Sequence, residues 1–140
     1  MTINEIQDEI TEEFAFFDDW MDKYEYIIEL GKNLPLIADQ YKDEDHLIKG
    51  CQSQVWLQAD LEGDKVKFTA DSDAVITKGI IALLIRVLSN QSAADIAQSD
   101  LYFIEKIGLR EHLSPTRSNG LVSMVKQMKM YGLALTTKTE

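Results

Sequence analysis

Cysteine is the scarcest chemically useful residue in this sequence, with Cys51 as its single instance among 140 residues. One thiol forms no internal disulfide and no thiolate cage for zinc. Proline occurs only twice, at Pro35 and Pro115. There is no phosphate-cradling glycine loop and no dinucleotide fingerprint. The acidic clusters "DED" at 43–45 and "DSD" at 71–73 lack calcium-loop spacing and read as turns and solvated edges. No apolar run approaches the roughly 20 residues of a membrane span. Basic residues are in deficit, 14 against 24 acidic, for a formal net charge of −10. Phosphate backbones attract clustered Lys and Arg, and no basic stripe stands out along the sequence. Neither nucleic acid nor a membrane is an expected partner. The opening stretch "MTINEIQDEITEEF" is acidic and periodic, without the basic and apolar regions of a signal peptide. The expected location is therefore cytoplasmic.

Against those absences stands ample material for a core: 45% of residues are hydrophobic and 27% charged. The length fits one domain over residues 1–140. Ile3, Ile6, Ile10, Phe14 and Phe17 recur at helical spacing and predict a helix over 3–17. "DDW" at 18–20 predicts a cap for a second helix with Trp20, Met21, Tyr24, Ile27 and Ile28 on its apolar face and Gly31 at its end. These aromatics read as core. Pro35 breaks the following stretch into short turns and a loop leading to Cys51.

Residues 55–61 alternate, with Val55, Leu57, Ala59 and Leu61 on one face. Val66, Phe68 and Ala70 alternate in the next segment, and "EGD" at 62–64 supplies a turn, so the pair predicts an antiparallel hairpin. From Ala74 the period changes to a long apolar helix, in which Gly79 suggests close packing against the sheet. "SAADIAQ" predicts a short helix capped by Ser92, "DLYFIEKIG" another ending at Gly108, and a last helix covers about Asn119 to Tyr131 with Pro115 before it. The sum is an α+β fold, a compact two-layer domain with a small antiparallel sheet packed against helices.

Cys51 stands in "GCQSQVW", between a polar stretch and the first strand, where a loop presents its thiol. Gly50 permits a tight bend there. A free thiol has a pKa of about 8.5 and is mostly protonated near neutrality. A cysteine hydrolase needs a histidine beside the nucleophile. His46 and His112 are the two histidines, and nothing in their spacing joins either to Cys51. At this level a structural cysteine, a reactive one and a hydrolase nucleophile all remain open.

Three longer segments narrow the choice: "GCQSQVWL" at 50–57, "FTADSDAVITKGIIALL" at 68–84 and "IGLREHLSPTRSNGLVSMV" at 107–125. Together, in this order, they closely resemble the SufE-like family of cysteine desulfuration proteins, over nearly the whole chain. The resemblance implies a compact α+β domain of the SufE/IscU kind. It implies that Cys51 accepts sulfur as a persulfide from a pyridoxal-phosphate-dependent, SufS-like cysteine desulfurase. The protein would stimulate that enzyme and pass the sulfur to a SufBCD-like iron–sulfur assembly scaffold. Gly50, Gln52, Ser53, Gln54, Asp71, Asp73 and Arg117 match family positions around the acceptor or facing the partner, and Ser72, Ser118, Asn119, Gly120 and Leu121 lie in the same matched segments. On this reading the chain is a sulfur acceptor and activator rather than an enzyme, and it has no cofactor of its own, because the pyridoxal phosphate sits on the donor. The alternative is a noncatalytic, scaffold-like binding module in which Cys51 is structural.

Overall fold

In the computed structural model, which describes residues 1–139 with side chains through residue 136, the chain opens on helix α1 (Ile3–Phe14). A reciprocal cap fixes its start. The Thr2 hydroxyl accepts from the Glu5 amide at 3.1 Å, and the Glu5 carboxylate accepts from the Thr2 amide at 2.9 Å. The helix stops at Phe14, short of the expected Phe17. Phe17 instead folds back onto Tyr26, with ring centroids 5.0 Å apart, and Phe16 is left in solvent. Helix α2 (Trp20–Gly31) starts where "DDW" places it, the Asp19 carboxylate accepting from the Asp22 amide at 3.0 Å.

Two short turns follow, and then strands β1 (Val55–Glu62) and β2 (Lys65–Ser72) form the expected hairpin, in register from Val55 opposite Ser72 to Glu62 opposite Lys65. Gly63 turns the corner at φ 65°. The sheet has a third strand that the sequence reading lacks: β3 (Gln91–Ser92) pairs antiparallel with the start of β2. Two residues are too short to show an alternation. The other half of the same edge of β2 is closed by the segment after α2, where the Ile37 amide donates to the Ala70 carbonyl and the Ala70 amide to the Pro35 carbonyl, both at 3.0 Å. β2 thus runs through the centre with its backbone satisfied on both sides.

Helix α3 (Val75–Leu88) is buried on nearly every face, as its apolar run predicts. Gly79 does not face the sheet, as the sequence reading had it. It faces α2: a Cβ at Gly79 would lie 2.1 Å from the Ile27 carbonyl oxygen, and one at Gly31 would lie 2.7 Å from the Gly79 nitrogen. Gly31 ends its helix without a positive φ, so it too is there for close approach rather than as a left-handed cap. Arg86 ties α3 to α1 through Glu9, at 2.6 Å, and Glu13, and these carboxylates hold the guanidinium above its already high ordinary pKa.

Three short helices complete this side. They are α4 (Ala93–Gln98), capped by the Ser92 hydroxyl as expected, α5 (Phe103–Lys106) and α6 (Leu109–His112), the last following Gly108 at φ 77°. The final helix, α7 (Pro115–Thr139), is longer than its expected span at both ends. Pro115 is its first residue rather than lying before it. The missing proline N–H is no loss in the first turn, and the Ser114 hydroxyl accepts from the Arg117 amide at 3.3 Å. Sheet and helices share one apolar core that includes Ile10, Leu57, Phe68, Leu84, Phe103 and Met128. Among the described residues no helix is long and apolar enough to cross a membrane.

Candidate functional site

The loop that carries Cys51 is built from both sides. At its base the Ile48 amide donates to the Val55 carbonyl at 2.8 Å, and Leu47 bridges to Trp56 across the outer edge of β1. Residues 49–54 therefore project as the tip of a hairpin-like excursion, in agreement with the expected surface loop. The far arm is anchored to the end of β2. The Gln54 amide donates to the Asp73 carboxylate at 3.1 Å, while the Gln54 carbonyl accepts from the Asp73 amide at 3.3 Å and from the Ser72 hydroxyl at 2.7 Å. The Ser53 hydroxyl lies 3.4 Å from that of Thr77 on α3. The near arm bends at Gly50, whose φ of 93° favours glycine, and a Cβ there would meet the Ser123 hydroxyl of α7 at 2.5 Å.

Cys51 itself is half-buried. Its S–H donates to the Gly120 carbonyl at 3.6 Å, and a Cβ on Gly120 would lie 3.4 Å from the sulfur. Helix α7 thus closes over the thiol with a bare glycine facet. Burial alone acts on the thiol's ionisation and pushes its pKa up. In this resting arrangement Cys51 is held as the protonated, poorly nucleophilic form.

Of the other sequence-selected residues, Gly50, Gln52, Ser53, Gln54 and Asp73 come together in the loop and its anchor. Asp71 lies one step behind, opposite Trp56 in the sheet register, and is buried. Lys42 reaches it at 2.7 Å and Lys78 at 3.3 Å. Burial works to raise the Asp71 pKa, but the Lys42 hydrogen bond, the Ser72 amide and Lys78 outweigh it and hold the carboxylate below its ordinary range. Lys42 also sits over the Trp56 ring, 5.8 Å from its centroid. Arg117 is exposed on the first turn of α7, and among the described residues its guanidinium has no hydrogen bond or ion pair.

The sequence reading placed Gly120 in a matched segment but not at the thiol, and it did not single out Ser123, Thr77, Lys42 or Lys78. The glycine and serine three residues apart near the start of a helix were the available sign that something packs closely there. The histidines are committed elsewhere. His46 Nδ1 lies 2.7 Å from the Asp43 carboxylate, and His112 stacks on Trp20 at 4.5 Å with Nδ1 2.8 Å from the Gly108 carbonyl. A His–Cys hydrolase therefore has no base in place. Among the described residues no cluster of His, Cys, Asp or Glu is arranged to hold a metal.

The shielding has a kinetic signature. Deprotonation is suppressed while the loop is closed, so the closed state loses stability relative to the open one as pH rises past the ordinary thiol pKa of about 8.5. Alkylation of the native protein by iodoacetamide is expected to be slower at neutral pH than that of the urea-unfolded chain, with a pH midpoint displaced upward. Equal rates and midpoints would show that the thiol is not shielded in solution.

The comparisons agree with the architecture. A family model described as "Fe-S metabolism associated domain", SufE, matches residues 8–132. An uncharacterised SufE-like protein of Rhizobium etli is 45% identical over 127 residues, covering 87% of this chain and 86% of that one. One from Rhizobium meliloti is 42% identical, covering 87% and 91%. The SufE-like protein 1 of Arabidopsis thaliana, chloroplastic/mitochondrial, is 40% identical over 84% of this chain but only 32% of its own greater length. The solution structure of a hypothetical protein from Thermus thermophilus superposes with a TM-score of 0.78 at 21% identity, over 94% of this chain and 96% of that one, a likeness of fold. A family match over most of the length, with relatives above 40% identity across it, settles the classification: the chain belongs to the SufE family, whose general role is sulfur transfer in iron–sulfur metabolism.

Proposed function

We propose that this protein receives sulfane sulfur on Cys51 from a pyridoxal-phosphate-dependent cysteine desulfurase, accelerates that enzyme by unloading it, and delivers the sulfur to an iron–sulfur assembly scaffold. The proposed relay works in the cytoplasm. The observation that carries the reading is the placement of the sole thiol at the tip of a loop hinged at Gly50 and anchored at Gln54, closed against α7 at Gly120 and beside Ser123. Opening such a loop withdraws the half-buried Cys51 side chain from its contact with the core and leaves the sheet and helices in place.

The chemistry balances without a redox partner. Once the loop opens, the Cys51 thiolate attacks the terminal sulfur of the donor's cysteine persulfide. A new S–S bond forms on Cys51, the donor's S–S bond breaks, and the donor's own thiolate leaves and takes up the proton that Cys51 lost. The transferred sulfur keeps its oxidation state, and the second transfer to the scaffold repeats the exchange in the same sense. With no second cysteine in the chain, the persulfide has no internal thiol to resolve it. The supporting roles follow from the contacts. Gly50 gives the bend, Asp73 anchors Gln54, Ser53 meets α3, and Asp71 with its two lysines stiffens the strand ends from which the loop springs. Gln52 is exposed at the tip and faces the partner.

The direct test incubates the protein with a matched desulfurase and cysteine, then applies intact and peptide mass spectrometry. The expected result is sulfur added at Cys51 and removed by a thiol reductant. Quantitatively unmodified Cys51 during active donor turnover would return the site to a structural cysteine in a binding module, a reading that the thiol's half-burial also accommodates.

Arg117 supplies a second prediction. Its exposed guanidinium is free for a partner carboxylate or carbonyl. Arg117→Ala is expected to weaken stimulation of the desulfurase by about tenfold, equivalent to ~1.4 kcal/mol of docking energy, with an unchanged melting curve. Normal docking and transfer kinetics in that variant would reduce the residue to a part of the helix entry.

A further inference from the structure

Helix α7 has three working faces, and the sulfur-carrying loop uses only one of them. At 3.6 residues per turn, Leu121, Met124 and Met128 fall on the core face, while Gly120 and Ser123 meet the Cys51 loop. The third face carries Val122, Met130 and Leu133, which are 49, 52 and 65% exposed. These exposures decide the point: three large apolar side chains on one face are left without a covering element, in a helix whose core face is already satisfied. The face is concave rather than ridged. Together with Leu101 and Ile104 it lines an open groove of about 500 Å³ between α7 and the α4–α6 side.

The charge on this groove opposes that of the rest of the molecule. Residues 115–139, the span of α7, hold four of the chain's 14 basic residues and none of its 24 acidic ones. Lys126 and Lys129 lie in the groove lining with no ion pair or hydrogen bond among the described residues. Arg110 joins them, paired with Glu105 at 3.1 Å, and Asp100 is the one carboxylate in the lining. The sequence shows no basic stripe because Arg110 and the α7 lysines meet only in the fold.

We infer that this groove is a second docking surface, separate from the thiol, for an acidic amphipathic helix of a partner protein. Val122 to Leu133 is twelve residues, eleven steps along the helix, or roughly 16 Å at 1.5 Å per residue. That length suits a helix laid along the groove with its leucine-like anchors down and its carboxylates against Lys126 and Lys129. A concave apolar floor does not fit a flat lipid surface. Helix α1 of a second copy does not supply the occupant, because its apolar side is buried in the core through Ile3, Ile10 and Phe14.

The test uses the full chain and two fluorescein-labelled synthetic peptides of about 16 residues, long enough to sample helix. Both carry leucine at helical spacing, one with glutamate and the other with lysine at the remaining positions. The glutamate peptide is expected to bind with a micromolar Kd that weakens with added salt, and the lysine peptide to bind at least about tenfold more weakly. The double variant Lys126→Glu with Lys129→Glu is expected to lose about tenfold or more, as is the uncharged Met130→Ser; Lys126 and Met130 are exposed and Lys129 is half-buried, and none of the three belongs to the core. Amide shifts in NMR should move at Leu101, Ile104 and residues 122–133. Cys51→Ser should bind the glutamate peptide as wild type does, which keeps this result independent of the sulfur chemistry. Equal binding of both peptides, or shifts confined to the Cys51 loop, would overturn the inference. So would concentration-dependent self-association in analytical ultracentrifugation that the lysine variant abolishes, since that would make a second copy the occupant.

Discussion

Cys51→Ser is expected to fold like the wild type, to accept no sulfur, and to leave the donor desulfurase at its basal rate. The side chain lies in a loop and makes one long S–H contact to the Gly120 carbonyl at 3.6 Å. A serine hydroxyl fits the same space and offers a donor to the same carbonyl, so the expected change in stability stays within about 1 kcal/mol. The chemistry is lost outright, because a serine hydroxyl, un-ionised at neutral pH, neither attacks a persulfide nor holds sulfane sulfur. Docking relies on more surface than one atom, so affinity for the desulfurase should change little while stimulation disappears. A folded serine variant that still speeds sulfide release as wild type does would remove the covalent step and leave only an allosteric activator.

Gly79→Ala should produce the largest loss of stability of any single methyl added to this chain. Helix propensity alone favours alanine there by about 1 kcal/mol. The contact with α2 reverses the sign, because the new Cβ would stand 2.1 Å from the Ile27 carbonyl oxygen and 2.6 Å from the Ile27 Cγ2. Neither neighbour is the free end of a long side chain, so α2 and α3 must separate. Overpacking of this kind costs about 1–3 kcal/mol and at times more, and a net loss of about 3 kcal/mol would lower Tm by roughly 10 °C in a domain of this size. Gly63→Ala is the control. It keeps the cost of a positive φ, here 65°, but has nothing within 4 Å, so a drop of only about 1 kcal/mol is expected. A thermal scan in which Gly79→Ala melts at or above wild type would show that the helices are not in contact as described.

The parts of this molecule that were legible in the sequence are those written in local order. The alternation of Val55, Leu57, Ala59 and Leu61, the turn after it, and the change to a helical period at Ala74 located β1, β2 and α3. Asp19 and Ser92 announced two helix starts through side chains that cap their own backbones. Where sequence reading went astray, the cause was a partner distant in the chain, as at Gly79 and β3, or a local signal with two meanings, as at Pro115. Gly79 signalled close approach, but the period of an all-round apolar helix does not say whether sheet or helix lies against a given face. Pro115 suggested a boundary and proved to be the first helical residue, a position equally compatible with its missing N–H. β3 exists only because β2 has a free edge to receive two residues. At the site, the motif picked out the thiol and its loop neighbours, whereas the lid over the thiol, Gly120 and Ser123, lies 69 and 72 positions further along.

The half-burial of Cys51 also governs how the protein fails by oxidation. With one cysteine per chain, the only disulfide that copies of this protein can form joins two of them through Cys51. The sulfur atoms must then approach to about 2.05 Å, which neither chain permits while its loop rests on the α7 backbone. Both loops must be open at once, so dimerisation scales with the square of the open population, whereas the transfer proposed for Cys51, with a partner whose own site is ready, would scale with its first power. If about one loop in ten is open, productive exchange slows about tenfold and the dead-end dimer about a hundredfold. A closed resting loop thus discriminates against self-encounter without needing to recognise it, and mutations that spring the loop should age into covalent dimers on storage long before they impair delivery.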